Sequence, residues 1–290
     1  MSDRLQIGLL FLAPVALLAG LYALGLSIPV PSLGRGYVVK LQLPGAGELR
    51  DLPEILGPED NSRPLVVIDA GHGGPDGGAS ASGYVEKDIV LGLALALRDR
   101  LLEDGGVRVA LTRTDDSFVV LQERVAVAQK LGADVFVSIH ADSAANVDAT
   151  GATIYTLDDE ASDAVAARFA ERENAADTLN GVQLGTRGEA VDSILVDLSQ
   201  RRVKGDSLRL ARLVLREGEG RIRFHSAPLR AADLAVLKSL EMPSILFESG
   251  YITNAADAER LASAANRRAT SDAIARALRI YLATEQVEGS

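Results

Sequence analysis

The chain has no cysteine. Disulfides and thiolate metal sites are thereby excluded, so a bound metal must be held by imidazole and carboxylate. The same absence fits an oxidising compartment. Histidine is scarce as well, with 3 in 290 residues. Excess basic charge is also missing: 40 acidic residues face 30 basic ones, for a net charge of -10. A nucleic-acid partner is disfavoured, because a phosphate backbone needs a basic face. There is no internal repeat and no low-complexity tract. With 47% apolar and 24% charged residues, the remainder reads as an ordinary globular chain, long enough to bury a core as one large domain or two small ones.

What is present begins with a hydrophobic run. Residues 7–26, IGLLFLAPVALLAGLYALGL, carry no charge. About 20 apolar residues suffice to span a bilayer as a helix, whereas the apolar part of a cleavable signal is usually about 7–15. Residues 1–28 are therefore read as a membrane anchor. Ala23-Leu24-Gly25 leaves signal cleavage and secretion as the alternative. The rest of the chain is expected outside the cytoplasm. Residues 29–63, with Pro29, Pro31, Pro44, Pro53 and Pro58, read as a linker, and residues 285–290 as a tail.

From Pro64 the pattern changes. Residues 65–70, 107–112, 134–139, 152–157 and 244–247 are short apolar runs of the kind buried strands show. Between them, Val90, Leu93, Ala94, Leu97 and Leu101 fall at helical spacing, and Gly105-Gly106 stops that helix. Leu121, Val125 and Ala128 mark a second helix, and residues 267–282 a terminal one. Strands alternating with helices imply an α/β domain over 64–284, a twisted, largely parallel mixed sheet flanked by helices. Residues 159–221 break the rhythm. They show no strand-like run and read as a helical insertion, with apolar stripes at Val191, Ile194, Leu195 and Leu198 and at Leu208, Ala211 and Leu215.

The chemistry sits where strands end. His72 follows the first strand in IDAGHGG, His140 ends the third in VSIHADS, and Glu248 ends the fifth in ILFESG. Ligands of open α/β sheets bind at the carboxyl ends of strands, and Glu86 opens the first helix at that same edge. Catalytic zinc takes three protein ligands and keeps one position open. Two imidazoles and one carboxylate, His72, His140 and Glu86, make such a set, and Glu248 is free to act as proton carrier. Glycines 71, 73 and 74 allow close approach, and Asp69 is expected to orient an imidazole. Arg113 and Arg124 have acidic neighbours, so ion pairing is their default role and substrate contact the alternative. By spacing alone His225 is a surface residue.

Taken together, IDAGHGGPDGG, VEKDIVL, LTRTDDSFVVLQERV, FVSIHADS and VLKSLEMPSILFESGYITN resemble the zinc-dependent N-acetylmuramoyl-L-alanine amidases, over about residues 64–284. The resemblance implies zinc on His72, Glu86 and His140, with Glu248 as the catalytic carboxylate. The implied reaction cleaves the amide between N-acetylmuramic acid and L-alanine in peptidoglycan. ERENAADTLNGV and SILVDLSQRR are similar to the cell-division branch, in which a helix blocks the site until a LytM-type activator displaces it. That resemblance makes Glu189 the candidate inhibitory ligand of the metal and, through RFHSAPLRAADLAVLK, brings His225 towards the active site. The wall-targeting domain usual in that branch has no room in the linker, and an inner-membrane anchor can substitute for it. The rival readings are a zinc peptidase or deacetylase on the same ligands, and a catalytically dead wall-binding protein.

Overall fold

Six consecutive buried residues, Leu65–Ala70, form β1, the centre around which a computed structural model assembles the chain. The structure describes residues 52–288 apart from 145, 177, 180–181, 184–193 and 240. The hydrophobic N-terminal run, the linker up to residue 51, Glu189 and Val191 lie outside the described residues, as do the side chains of Ile194, Leu195 and Leu198. None of the described helices is long and apolar enough to cross a membrane.

After β1 come a two-stranded hairpin of β2 (Ser80–Ala81) and β3 (Tyr84–Val85), helix α1 (Glu86–Asp104), β4 (Arg108–Leu111), α2 (Leu121–Lys130), β5 (Val135–His140) and β6 (Ala152–Leu157). The insertion contributes α3 (Ala164–Asn174), a small hairpin of β7 (Thr178–Leu179) and β8 (Val182–Gln183), and α4 (Ile194–Gly218). It is therefore not wholly helical. The chain closes with β9 (Phe224–Ala232), β10 (Ser244–Glu248), α5 (Ala255–Ala262) and α6 (Ala264–Glu288). Strand β9 has no counterpart among the apolar runs of the sequence. It lies at the edge of the sheet, carries Pro228 and is half-exposed, so it lacks the unbroken hydrophobicity of a central strand.

The six-stranded sheet runs β4-β1-β5-β10-β6-β9. Strands β4, β1, β5 and β10 are mutually parallel, β6 is antiparallel to β10, and β9 is parallel to β6. This is the mixed, largely parallel sheet expected. Alternate residues go to opposite faces. Val66, Ile68 and Ala70 pack with Leu93, Leu97, Leu210, Val214, Ile274 and Leu278, beneath α1, α4 and α6. Leu65 and Val67 pack with Val125, Phe169 and Leu246, beneath α2 and α3. In α4 the buried stripe is Val203, Ser207, Leu210, Ala211 and Val214, rotated from the expected Leu208–Leu215 stripe, because the helix must meet both the sheet and α6.

Helix α1 carries the site's carboxylate at its first residue, so its packing sets that residue's position. Glu86 and Asp88 lie in its first turn, where helix partial charges favour anions, and Gly105 (φ 67°) ends it in the left-handed region. Leu97 is 0% exposed at its centre. Substituting Leu97→Ala removes a fully packed side chain and is expected to lower unfolding stability by about 3 kcal/mol, measured by urea denaturation. A loss under roughly 1 kcal/mol would show that α1 is not packed as described.

Candidate active site

The chain leaves β1 through Gly71 and His72. His72 has φ 58°, a region that costs a residue with a Cβ about 1–3 kcal/mol. Two arginines hold it there. Arg124 donates to the carbonyls of Ala70 and His72 at 2.7 and 2.8 Å, and Arg113 to those of Ala70 and Gly71 at 2.9 and 2.8 Å. Arg113 spends its remaining donors on the carbonyls of Asp115 and Lys87, so it faces backbone and not the crevice. Asp69 does not orient an imidazole. It pairs with Arg124 at 2.8 Å and accepts from Ser138 and Thr112 at 2.6 and 2.7 Å. Burial opposes its charge, yet Arg124 and the two hydroxyls keep its pKa below the usual carboxylate value. The orienting group is Asp76, whose Oδ2 is 2.8 Å from His72 Nδ1. The bond to His72 outweighs burial and holds Asp76 ionised. An ionised carboxylate only accepts, so Nδ1 keeps its proton, and the proton that Nε2 holds in the metal-free chain is the one a metal would displace.

Glu86 meets that nitrogen. Its Oε2 accepts from the Ala79 N–H and its Oε1 from the Ala141 N–H, each at 2.9 Å. Oε1 also lies 3.1 Å from His72 Nε2 and 3.2 Å from His140 Nδ1. Two glycines make this approach feasible. A Cβ on Gly71 would stand 2.5 Å from the His140 ring, and one on Gly78 (φ +64°) would stand 2.6 Å from Glu86 Oε2 and from His72 Cδ2.

A fourth group arrives from α3. Ala166, Phe169, Ala170 and Glu173 are its buried residues, spaced i, i+3, i+4, i+7 on one stripe. Phe169 stacks on Tyr155 with centroids 4.4 Å apart, and the stripe thereby carries Glu173 to the histidines. Its Oε2 lies 3.1 Å from His140 Nδ1 and 3.6 Å from His72 Nε2. The ligand atoms of His72, His140 and Glu173 all fall within 4.8 Å of one another. His72 Nε2 and Glu173 Oε2 are buried and make no hydrogen bond of good geometry, an arrangement a cation between them would satisfy. Imidazole nitrogens with carboxylate oxygens suit zinc. The charges tell the same story. Burial pushes both imidazoles down, but Glu86 and then Asp76 lift His72 to about 9, and Glu173 and then Glu86 lift His140 to about 10.

Glu248 stands opposite His140 in the register of β10 with β5, so both side chains leave the sheet on one face. It is 1% exposed. Its Oε1 accepts from the Asp142 N–H at 2.6 Å, and its Oε2 has no partner. Burial, then the charges of Asp142 and Glu86, push its pKa well above the usual range. A carboxyl in that condition can take up and return a proton near neutral pH. The free room beside His72, Asp76, His140 and Glu173 is about 10 Å³, about one water molecule. His225 does not join this cluster. It is half-buried on β9, accepts from the Ala227 N–H at 3.1 Å and meets Tyr251 edge-on at 6.3 Å. Sequence reasoning missed Glu173, Asp76, Asp142 and Gly78. For Glu173 a signal existed, an acidic residue on the apolar stripe of its helix.

Residues 66–279 match the family model described as N-acetylmuramoyl-L-alanine amidase. The chain belongs to that family. It is 39% identical over 222 residues to N-acetylmuramoyl-L-alanine amidase AmiA of Salmonella typhimurium, covering 76% of each chain. It is also 39% identical over 225 residues to AmiC of Neisseria meningitidis, where the match covers 77% of this chain and 53% of the relative, about half its length. Among solved structures, N-acetylmuramoyl-L-alanine amidase AmiC2 of Nostoc punctiforme superposes with a TM-score of 0.54 at 32% identity, over 76% of this chain and 97% of that one.

The raised imidazole pKa values give a pH test. In the metal-free chain His72 and His140 titrate at about 9 and about 10, against 6.5 for free imidazole. Their charged forms therefore stabilise the fold fully below pH 6.5, and this contribution is lost as the pH rises through 9 and 10. Chelator-treated protein is expected to melt at progressively lower temperature across that window. Saturating zinc, which replaces those protons, is expected to flatten the dependence. A melting temperature independent of pH in the chelated protein would contradict the cluster's electrostatics.

Proposed function

We propose that the chain holds zinc on His72, Glu86 and His140 and hydrolyses the amide between the lactyl group of N-acetylmuramic acid and the L-alanine of the peptidoglycan stem peptide. The observation that carries this reading is the convergence of two imidazoles and Glu86 on one point beside a buried Glu248 of raised proton affinity, in a chain of the amidase family. Zinc, when bound there, supplies a Lewis acid that polarises the amide carbonyl and makes a water more acidic. The remaining work falls to side chains. Asp76 fixes the His72 tautomer, the Ala79 and Ala141 N–H groups fix Glu86, and Glu248 accepts the proton of the attacking water and returns it to the leaving amine.

Glu173 acts as the inhibitory ligand in this reading, the part the sequence assigned to Glu189. Its carboxylate fills the space a substrate carbonyl needs, and room for about one water is left beside it. The resting chain is then closed, and a LytM-type activator that draws α3 away would open it. The substrate is cell-wall material, so the enzyme works outside the cytoplasm, with residues 1–28 as inner-membrane anchor and 29–63 as its linker.

Digestion of purified peptidoglycan followed by mass spectrometry tests the reaction. Stem peptides with a new L-alanine amino terminus are expected; cleavage between amino acids or released acetate would refute it. Glu248→Gln is expected to lower the rate by about 10²–10⁴-fold, and an undiminished rate would remove Glu248 from the mechanism. Glu173→Ala is expected to raise the activator-free rate at least about tenfold, equivalent to roughly 1.4 kcal/mol of relieved blockade. A rate that falls instead would make Glu173 a required ligand.

A further inference from the structure

The residue before Glu173 touches the site as well. Arg172 Nη2 donates to Asp142 Oδ2, and its Nη1 reaches the Ser143 carbonyl at 3.4 Å. Asp142 follows His140 by two residues at the rigid end of β5. Its own N–H is bonded to Glu248, its carbonyl accepts from the Ile252 N–H at 2.8 Å, and its Oδ1 accepts from the Ser143 N–H. Its side chain is 7% exposed, that of Arg172 46%. The acid is thus built into the sheet edge, while its cation is a half-exposed side chain on the helix that also carries Glu173. Consecutive residues on one helix move together. When Glu173 leaves the histidines, Arg172 leaves Asp142.

That departure uncovers two carboxyl groups side by side, Asp142 and Glu248, the latter with an unpartnered buried oxygen. Stripped of its guanidinium partner, the Asp142 carboxylate needs another donor. We propose that Asp142 is a substrate-binding residue that receives a peptide N–H of the stem next to the scissile amide, and that the resting chain fills this subsite with the Arg172 guanidinium. Because Asp142 is bonded to the proton carrier itself, the donor must lie close to the bond being cut. One residue of extended peptide spans only about 3.3–3.6 Å, which selects the N–H of the residue after L-alanine. In this arrangement α3 imitates the substrate at two points: a carboxylate oxygen stands where the carbonyl goes, and a guanidinium N–H stands where the next peptide N–H goes.

The inference rests on the amidase reading, and its test keeps the two apart. The probe is N-acetylmuramoyl dipeptide, which contains the scissile amide and the next N–H. Its binding is measured by calorimetry on the zinc-loaded full chain carrying Glu248→Gln to stop turnover and Glu173→Ala to vacate the histidines. Adding Asp142→Asn is expected to weaken the Kd about tenfold, and adding Arg172→Ala, a change at a half-exposed side chain, to tighten it about tenfold. With Glu248 restored, Asp142→Asn is expected to raise KM and, because the Asp142 charge helps raise the Glu248 pKa, to shift the kcat profile to lower pH. An unmoved Kd in both variants, or a loss confined to kcat, would overturn the inference while leaving the amidase reading intact. If neither the intact chain nor Glu173→Ala releases stem peptides from peptidoglycan, it is the amidase reading that fails.

Discussion

The carboxylate of Glu86 has almost no water around it, and much of the site follows from that. An uncompensated buried carboxylate costs several kcal/mol, so the chain must bring donors and cations to it. It brings two backbone N–H groups, from Ala79 on the glycine-rich loop and Ala141 after β5, and two imidazoles. Those four contacts join the end of β1, the start of α1 and the end of β5. The loop between them needs glycine at 71 and 78, since any Cβ there would overlap the groups being gathered. A second buried acid, Asp69, does the same work one layer down, through Arg124 and the backbone of His72. The centre is thus held by charge satisfaction from below and does not depend on the metal alone for its geometry.

Helix α3 is built on another principle. It meets the sheet through a narrow stripe, Ala166, Phe169 and Ala170, and is capped by Asp163. Its polar contacts to the site are the two adjacent residues Arg172 and Glu173. A helix held by few apolar side chains, two charged ones and Asn174, which bonds the Asp233 carbonyl and the Ala235 N–H, detaches more readily than strands buried on both faces. The part of the site borne by the sheet and the part carried by α3 are therefore distinguished by how they are packed.

The same difference decides what the sequence revealed. Strands β1, β5 and β10 are buried throughout, so each reads as an unbroken apolar run, and a polar residue at its end stands out. His72, His140 and Glu248 were legible for that reason, as was Glu86 at the start of a strongly periodic helix. Strand β9 was not legible, since an edge strand with a proline and small residues has no such run. Asp69 was misread because its partner Arg124 lies 55 residues away in the chain, a contact that spacing does not announce. Glu189, read as an inhibitory ligand, lies outside the described residues; Glu173, which lies against the histidines, went unnoticed because an acid on an apolar stripe is easily passed over as one of many surface charges. The two arginines were read as ion-paired by default; Arg124 does pair with Asp69, while both also bind carbonyls of the His72 loop, which spacing could not show.

The order of the parts along the chain has its own consequence. The residues that gather the metal come first, the helix that covers them follows, and Glu248 comes last, on a strand inserted beside β5. Ribosomes deliver a chain from its amino end. A nascent copy therefore has Glu173 against its histidines before β10 brings in Glu248, and a fragment broken off ahead of β10 lacks that carboxyl altogether.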